Sequence, residues 1–422
     1  MSPKSRGRPK GRGRDLGRRP AGVPAHERSL AEELLIKASV LDGESDPLEA
    51  ERWAAEWLGV AWATAGMAER NPERQLCEDV VRRAARRPSP RGLAAVAALL
   101  RVAPPSEQPL LRDAVALLGE HQPLPAWHDL PAPEPVAAWR AVDVWEDVHT
   151  LLVEYGGPTP HVLMAVVNQV GGVRVDTLAL LTPGVAERWP TLRDDSEPPM
   201  PLAETPADDV LAELASALRL GDLAWPRNDD PDFVELRALA WSRCRAHLVP
   251  WPEVTQPDDA QRADLLETFL ALPEVTALAA AEDSRTHVVS LCLDYGEGYI
   301  PAGPLCWSPA QVALFLTDWL PRRASLDADD RAALPDVLRA WVRFALLRRD
   351  VPEPWITPVV QAVDEHLPTF TEAFGDPSTA GPAKQVLAQL EAMGIDLTDA
   401  DAVSDGIRAV NAGSLARRLL AE

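Results

Sequence analysis

The chain has 422 residues, 46% apolar and 25% charged, with a formal charge of −22. This length and composition predict a globular protein of two or three domains with a sizeable core. The charge argues against a body that attracts a polyanion, and no apolar run approaches the ~20 residues of a membrane span, so a cytoplasmic protein is expected. Cys77, Cys244, Cys292 and Cys306 are scattered without a CxxC pair. They predict reduced core thiols, with no metal site and no cofactor. The 41 prolines predict short elements with firm breaks.

Residues 1–28 lack hydrophobic periodicity and are rich in Gly, Pro and Arg, the composition of a disordered basic tail. Lys4, Arg6, Arg8, Lys10, Arg12, Arg14, Arg18 and Arg19 face one acid, Asp15. Within this run Arg6, Gly7, Arg8, Pro9 and Lys10 resemble the AT-hook, an arm that lies in the DNA minor groove. Arg6 and Arg8 suit the negative potential of a narrow groove, and Gly7 lets the backbone sit deep. Pro9 turns the chain outward, and Lys10 adds a phosphate contact. A single arm binds weakly, in the range of roughly 10⁻⁴–10⁻⁶ M. A solubilising extension has the same composition.

Residues 29–121 read as an N-terminal helical domain. Ser29 with Glu32 has the spacing of a capping box ahead of Leu30, Leu34, Leu35 and Ala38. Asp46-Pro47 and Asn71-Pro72 each place a capping residue before a proline at the first helical position. The stripes Leu48, Trp53, Trp57, Leu58 and Leu76, Val80, Val81 follow. Two more helices are expected at 91–102 and 106–119, packed as a bundle. Residues 122–140 read as a Pro-rich connector.

Residues 141–300 read as an α+β domain. Val148–Tyr155, His161–Val170 and Val173–Leu181 form a three-stranded antiparallel meander, its middle strand buried on both faces. Gly171-Gly172 reads as a two-residue hairpin turn. A polar linker covers about 190–206, and helices are expected at 207–219, 231–246 and 259–271. Thr286–Tyr295 reads as a fourth strand ending in a Gly-rich turn. Residues 301–422 read as a C-terminal helical region. Ser308-Pro309 opens a helix that Pro321 stops, and Asp327 opens one carrying Leu334, Leu338, Trp341, Val342 and Ala345. Further helices are expected at 355–373, 382–393 and 402–420. The fold class is therefore α+β, mainly helical, with one small antiparallel sheet.

Several stretches resemble a recurring group of uncharacterised actinobacterial proteins with no assigned activity. They are Pro47–Glu51 with Trp53 and Trp57, the strand pair ending near Asp176, Trp319–Arg323 with Leu326-Asp327, Leu338–Phe344, Gly394–Leu397 and Asn411-Ala412. The group's central strand tends to carry an acidic residue and a following His-Asn pair, where this chain has Asn168 and Gln169.

No nucleophile elbow, phosphate loop, dinucleotide fingerprint or zinc-protease motif occurs in the chain. His149, His161, Asp176 and His287 are the polar outliers near strands. Pairing Tyr155 with His161 sets His149 opposite Val167, about 20 Å from His161, too far to share a metal. The two-residue turn would set Asp176 opposite Val167 as well, about 10 Å from His149. Structural roles are expected for these four. Trp53, Trp57, Trp62, Trp307, Trp319 and Trp341 sit at helical spacing and are expected in the core, while exposed tryptophans would anchor a partner. The acidic clusters at Asp194-Asp195, Asp208-Asp209 and Asp327–Asp330 read as solvated loops and caps. The sequence therefore points to a non-catalytic interaction protein with a weak DNA-binding tail and an unidentified protein partner. The competing reading is an enzyme with a site between the sheet and the C-terminal helices.

The arm yields the first prediction. Replacing Arg6 and Arg8 with Ala should abolish duplex binding in a gel-shift titration, and the parent should prefer A·T-rich DNA and weaken steeply with salt. Equal binding by parent and double mutant would contradict the arm's role.

Overall fold

The computed structural model describes residues 28–192, 197–251 and 259–376, with short stretches between 381 and 408. The arm Arg6–Lys10, and all of the expected tail but Arg28, lie outside these residues. So do Asp194-Asp195 and most of the helix expected at 382–393. Of the last expected helix, residues 402–408 are described and are helical.

Helices α1 (Leu30–Lys37), α2 (Pro47–Thr64), α3 (Pro72–Arg86), α4 (Pro90–Val102) and α5 (Gln108–Gly119) form the N-terminal layer. Ser29, Asp46 and Ser89 accept backbone N–H groups at the starts of α1, α2 and α4. These bonds satisfy donors that have no partner within the helix. Asn71 differs from its expected role. It sits at φ 56° and makes no side-chain cap bond, acting instead as a left-handed corner that Asn tolerates.

Strands β1 (Pro135–Val142), β2 (Val148–Tyr155), β3 (His161–Asn168), β4 (Arg174–Leu181) and β5 (Leu202–Glu204) form one antiparallel sheet in the order β4-β3-β2-β1-β5. The pairs Tyr155–His161 and His149–Val167 form as expected. The 122–140 connector is corrected at its end, because Pro135 begins β1. Its alternating signal is muted, with Ala138 and Ala141 as the buried residues. Pro135 is tolerated as the first residue of the strand.

The β3–β4 turn is also corrected. Asn168 pairs with Arg174 and Val167 with Val175, so Asp176 is not opposite Val167. The Asn168 Oδ1 accepts the Val170 N–H at 2.8 Å. That bond ends the strand early and makes a five-residue loop, with Gly171 and Gly172 at φ 70° and 117°.

One sheet face presents Leu151, Val153, Leu163, Ala165 and Leu178 to the N-terminal helices and to α7 (Ala207–Leu223) and α8 (Pro231–Cys244). The other face presents Ala141, Leu152 and Val162 to α6 (Val185–Arg188), Trp189 and Met200. α2 and α8 cross closely at Gly59, where an added Cβ would lie 1.8 Å from the Val234 carbonyl oxygen.

A second core holds α9 (Asp259–Leu270), α10 (Pro273–Thr276), α11 (Glu282–Tyr299), α12 (Pro309–Leu314), α13 (Leu320–Arg323), α14 (Ala328–Arg348) and α15 (Glu353–Gly375). The strand expected at Thr286–Tyr295 is part of α11. Its buried positions include Ser284, Val288, Leu291, Cys292, Tyr295 and Gly296, which recur at helical spacing. Packing against α14 overrides the β-branched composition. Pro321 does not stop its helix. Phe315–Trp319 form a π-helical turn, and the helix continues through Pro321 to Arg323. The wider turn accommodates a residue that can donate no backbone bond. Among the described residues, no helix is long and apolar enough to cross a membrane.

The α2–α8 crossing makes a stability prediction. Gly59→Ala should lower unfolding free energy by roughly 1–3 kcal/mol or more, because the clash is with backbone and the helices must separate. An unchanged urea midpoint would contradict this packing.

Candidate functional site

The polar groups of the sheet collect at one end, where the β1–β2 turn and the β3–β4 loop meet. His149, the second residue of β2, lies on the face covered by α7. Its Nδ1 lies 2.5 Å from Glu213 Oε1 and 3.2 Å from both Arg140 Nη2 and Gln169 Nε2. Arg140 Nε donates to the second Glu213 oxygen at 2.9 Å. Burial acts to raise the Glu213 pKa, but the His149 hydrogen bond and the His149 and Arg140 charges outweigh it and hold the carboxylate below its usual range. The His149 Nε2 is buried without a partner among the described residues. A histidine oriented by a carboxylate has the form of a catalytic base with its positioning group, but here the ring is buried beneath α7.

The second cluster is the β1–β2 turn itself. Asp143 and Asp147 are both buried. Asp143 Oδ1 accepts the Asp147 N–H at 2.8 Å, and the Asp147 carbonyl accepts the Gln169 N–H at 2.8 Å. Burial pushes the Asp147 carboxyl up to about 7, with the Asp143 charge adding to it and the Ser308 and Gln311 hydrogen bonds opposing it. Burial also raises Asp143, against backbone N–H bonds. The Tyr295 hydroxyl donates to Gln311 Oε1 at 2.7 Å and extends the network into α11. A carboxyl near neutral pKa can take or release a proton at physiological pH. It borders a cleft of about 520 Å³ that Trp145, Asn168, Arg174 and Met200 also line.

The polar residues singled out in the sequence do not converge. His161 stacks on Tyr155 with ring centres 5.2 Å apart, and its Nδ1 contacts the Thr159 carbonyl at 2.8 Å. Burial lowers its pKa. Asp176 binds Asn168 and Arg174, each at 2.8 Å. His287 lies on α11 and contacts Asp330 at 2.8 Å. Glu213, Asp143, Asp147 and Gln311 were not singled out from the sequence. Glu213 is 64 residues from His149, and no local pattern marks that pairing.

The four cysteines are buried, and burial raises each thiol. Among the described residues, no group of three His, Cys, Asp or Glu side chains is arranged to hold a metal. Trp53, Trp62, Trp307, Trp319 and Trp341 are core residues, and Trp57 is half-buried. No family model matches the chain, and no curated protein or solved structure matches it. The actinobacterial resemblance therefore rests on its own residues.

Asp147 predicts a pH effect. Its folded pKa of about 7 lies above its ordinary value, so the folded state holds a proton that the unfolded chain releases between about pH 4 and 7. Its contribution to stability is full below that window and is lost as pH rises through 7. Asp147→Asn should flatten this slope and stabilise the protein at pH 8 by on the order of 1–3 kcal/mol. Parallel stability–pH curves for parent and variant would contradict the assignment.

Proposed function

We propose that the protein is a non-catalytic interaction protein whose contact surface runs along α7. The observation that carries this reading is a set of exposed apolar side chains at the end of α7 and on the segment packed beside it. After α8 the chain turns back beside α7, with His247 3.4 Å from Asp208 near the start of that helix. Leu248, Val249 and Trp251 then run toward Arg219, and Leu223 and Trp225 follow at the end of α7. Trp225 is 51% exposed and Trp251 54%.

The indole of Trp251 is held in place. The Arg219 guanidinium carbon lies 3.6 Å from its ring centre, and Arg219 Nη1 donates to the Val249 carbonyl at 2.9 Å. A side chain fixed before binding loses little entropy on binding, and tryptophan is enriched where interface energy concentrates. Arg227 lies 5.6 Å from the Trp225 ring centre. The surface therefore suits a protein segment that carries apolar side chains with neighbouring carboxylates. Four free, buried thiols suit a reducing compartment, and we place the protein in the cytoplasm.

A catalytic reading would rest on Asp147 and the cleft beside it. Non-catalytic binding is preferred because His149, Asp147, Gln311 and Tyr295 are engaged with one another or with neighbouring side chains. The arm Arg6–Lys10 supports a second, weak contact with duplex DNA, favoured by its spacing alone.

Cross-linked partners captured from native cells, with nuclease treatment, should be re-purified and titrated singly against the parent and a Trp225→Ser/Trp251→Ser variant. The variant should bind at least tenfold more weakly, while Arg6→Ala/Arg8→Ala should leave protein binding unchanged. Equal affinity of the tryptophan variant for every captured protein would overturn the proposed surface.

A further inference from the structure

We infer that the cleft between the β3–β4 loop and the C-terminal helices binds a small planar aromatic carboxylate. Its ring would lie against Tyr299 and its carboxylate on Arg323. This site is separate from the surface along α7 and does not depend on it. The cleft encloses about 600 Å³, within the range of small-molecule sites. Gly171 and Gly172 form one wall, and Tyr295, Tyr299, Trp319 and Arg323 form the other. Gly171 approaches Leu314 of α12, so the two cores meet at the cleft floor.

Two observations select the ligand. The first is a cluster of rings. Tyr295 is surrounded by Trp307, Phe315 and Trp319 at centre distances of 5.6, 5.1 and 5.7 Å. Tyr299 then stacks on Tyr295 at 5.7 Å with planes 6° apart. The other four rings are buried, whereas Tyr299 is 41% exposed, so the cluster reaches the surface at an accessible ring. A planar ligand adds a further aromatic contact there.

The second observation is charge. Two acids line the cleft: Asp318 pairs with Arg322 at 2.9 Å, and Glu297 shares Arg262 with Asp294, at 2.6 and 2.7 Å. The Arg323 guanidinium carbon lies 5.2 Å from the Tyr299 ring centre. Among the described residues no carboxylate pairs with it. Arg323 is thus a cation at the cleft that no side chain among the described residues pairs in an ion pair.

A carboxylate supplies acceptors for Arg323. A quaternary ammonium would suit the aromatic wall but would meet Arg323, and a neutral ring would leave Arg323 unpaired.

The test is calorimetric titration of the full chain at low salt with benzoate, 2-naphthoate and 9-anthracenecarboxylate, which offer one, two and three rings. 2-Naphthamide supplies the ring without charge, and acetate the charge without a ring. At least one aromatic carboxylate should bind tenfold or more tightly than both controls. Arg323→Gln should weaken that carboxylate about tenfold and leave 2-naphthamide unchanged, and Arg323→Lys should restore part of the loss. Arg323 is exposed, so the melting temperature should not change. Failure of all three carboxylates to bind at millimolar concentration would overturn the inference. Equal affinity for naphthoate and naphthamide, or full affinity in Arg323→Gln, would overturn it too.

Discussion

The arrangement of the two cores depends on the turn between β1 and β2, which leaves the sheet and docks on the C-terminal helices. Trp145 Nε1 donates to the Trp355 carbonyl at 3.1 Å, and the two indoles meet edge to face with centres 6.1 Å apart. Arg349 pairs with Glu146 at 2.5 Å. Asp147 bonds the Ser308 hydroxyl, and that hydroxyl in turn accepts the Gln311 N–H and caps α12. One turn therefore supplies an aromatic contact, an ion pair and a buried hydrogen bond to the other core. Burying two carboxyls here is unfavourable, and backbone donors and near-neutral protonation offset that cost.

That docking has a consequence for chemistry. The Gln169 N–H binds the Asp147 carbonyl, so the β3–β4 loop is carried on the same seat as the β1–β2 turn. Cleft walls thus form on both sides of the seat, one around Asp147 and Arg174 and the other around Gly172 and Tyr299. Neither wall belongs to a single core.

The N-terminal half is registered by buried charge. Glu51 of α2 accepts from Arg101 of α4 at 2.7 Å and also from Arg243 of α8. Arg101 further donates to the Leu130 carbonyl at 2.9 Å, fixing the segment that leads into β1. Arg237 bridges Glu73 of α3 at 2.8 Å and Asp222 of α7 at 2.7 Å. Removing one member of such a group strands a buried charge, which is strongly destabilising. These contacts select one arrangement among helices whose apolar faces alone would pack in several ways.

The sequence by itself determined what short-range physics controls. Ser29, Asp46 and Ser308 cap helices where their spacing placed them, and the Tyr155–His161 and His149–Val167 pairs followed from alternation and one turn. Proline was a weaker guide. Pro335, Pro358 and Pro368 lie inside helices, and Pro321 does not end one, because surrounding packing outweighs a lost backbone bond. Thr286–Tyr295 became helical for the same reason. The His149–Glu213 pair, the burial of the β1–β2 turn carboxyls and the ring cluster that reaches the surface at Tyr299 were decided only by tertiary structure. The groups that surround them come from separate elements, and burial, which shifts a pKa or leaves an indole N–H unpartnered, is a property of the assembled molecule and not of any local stretch of chain.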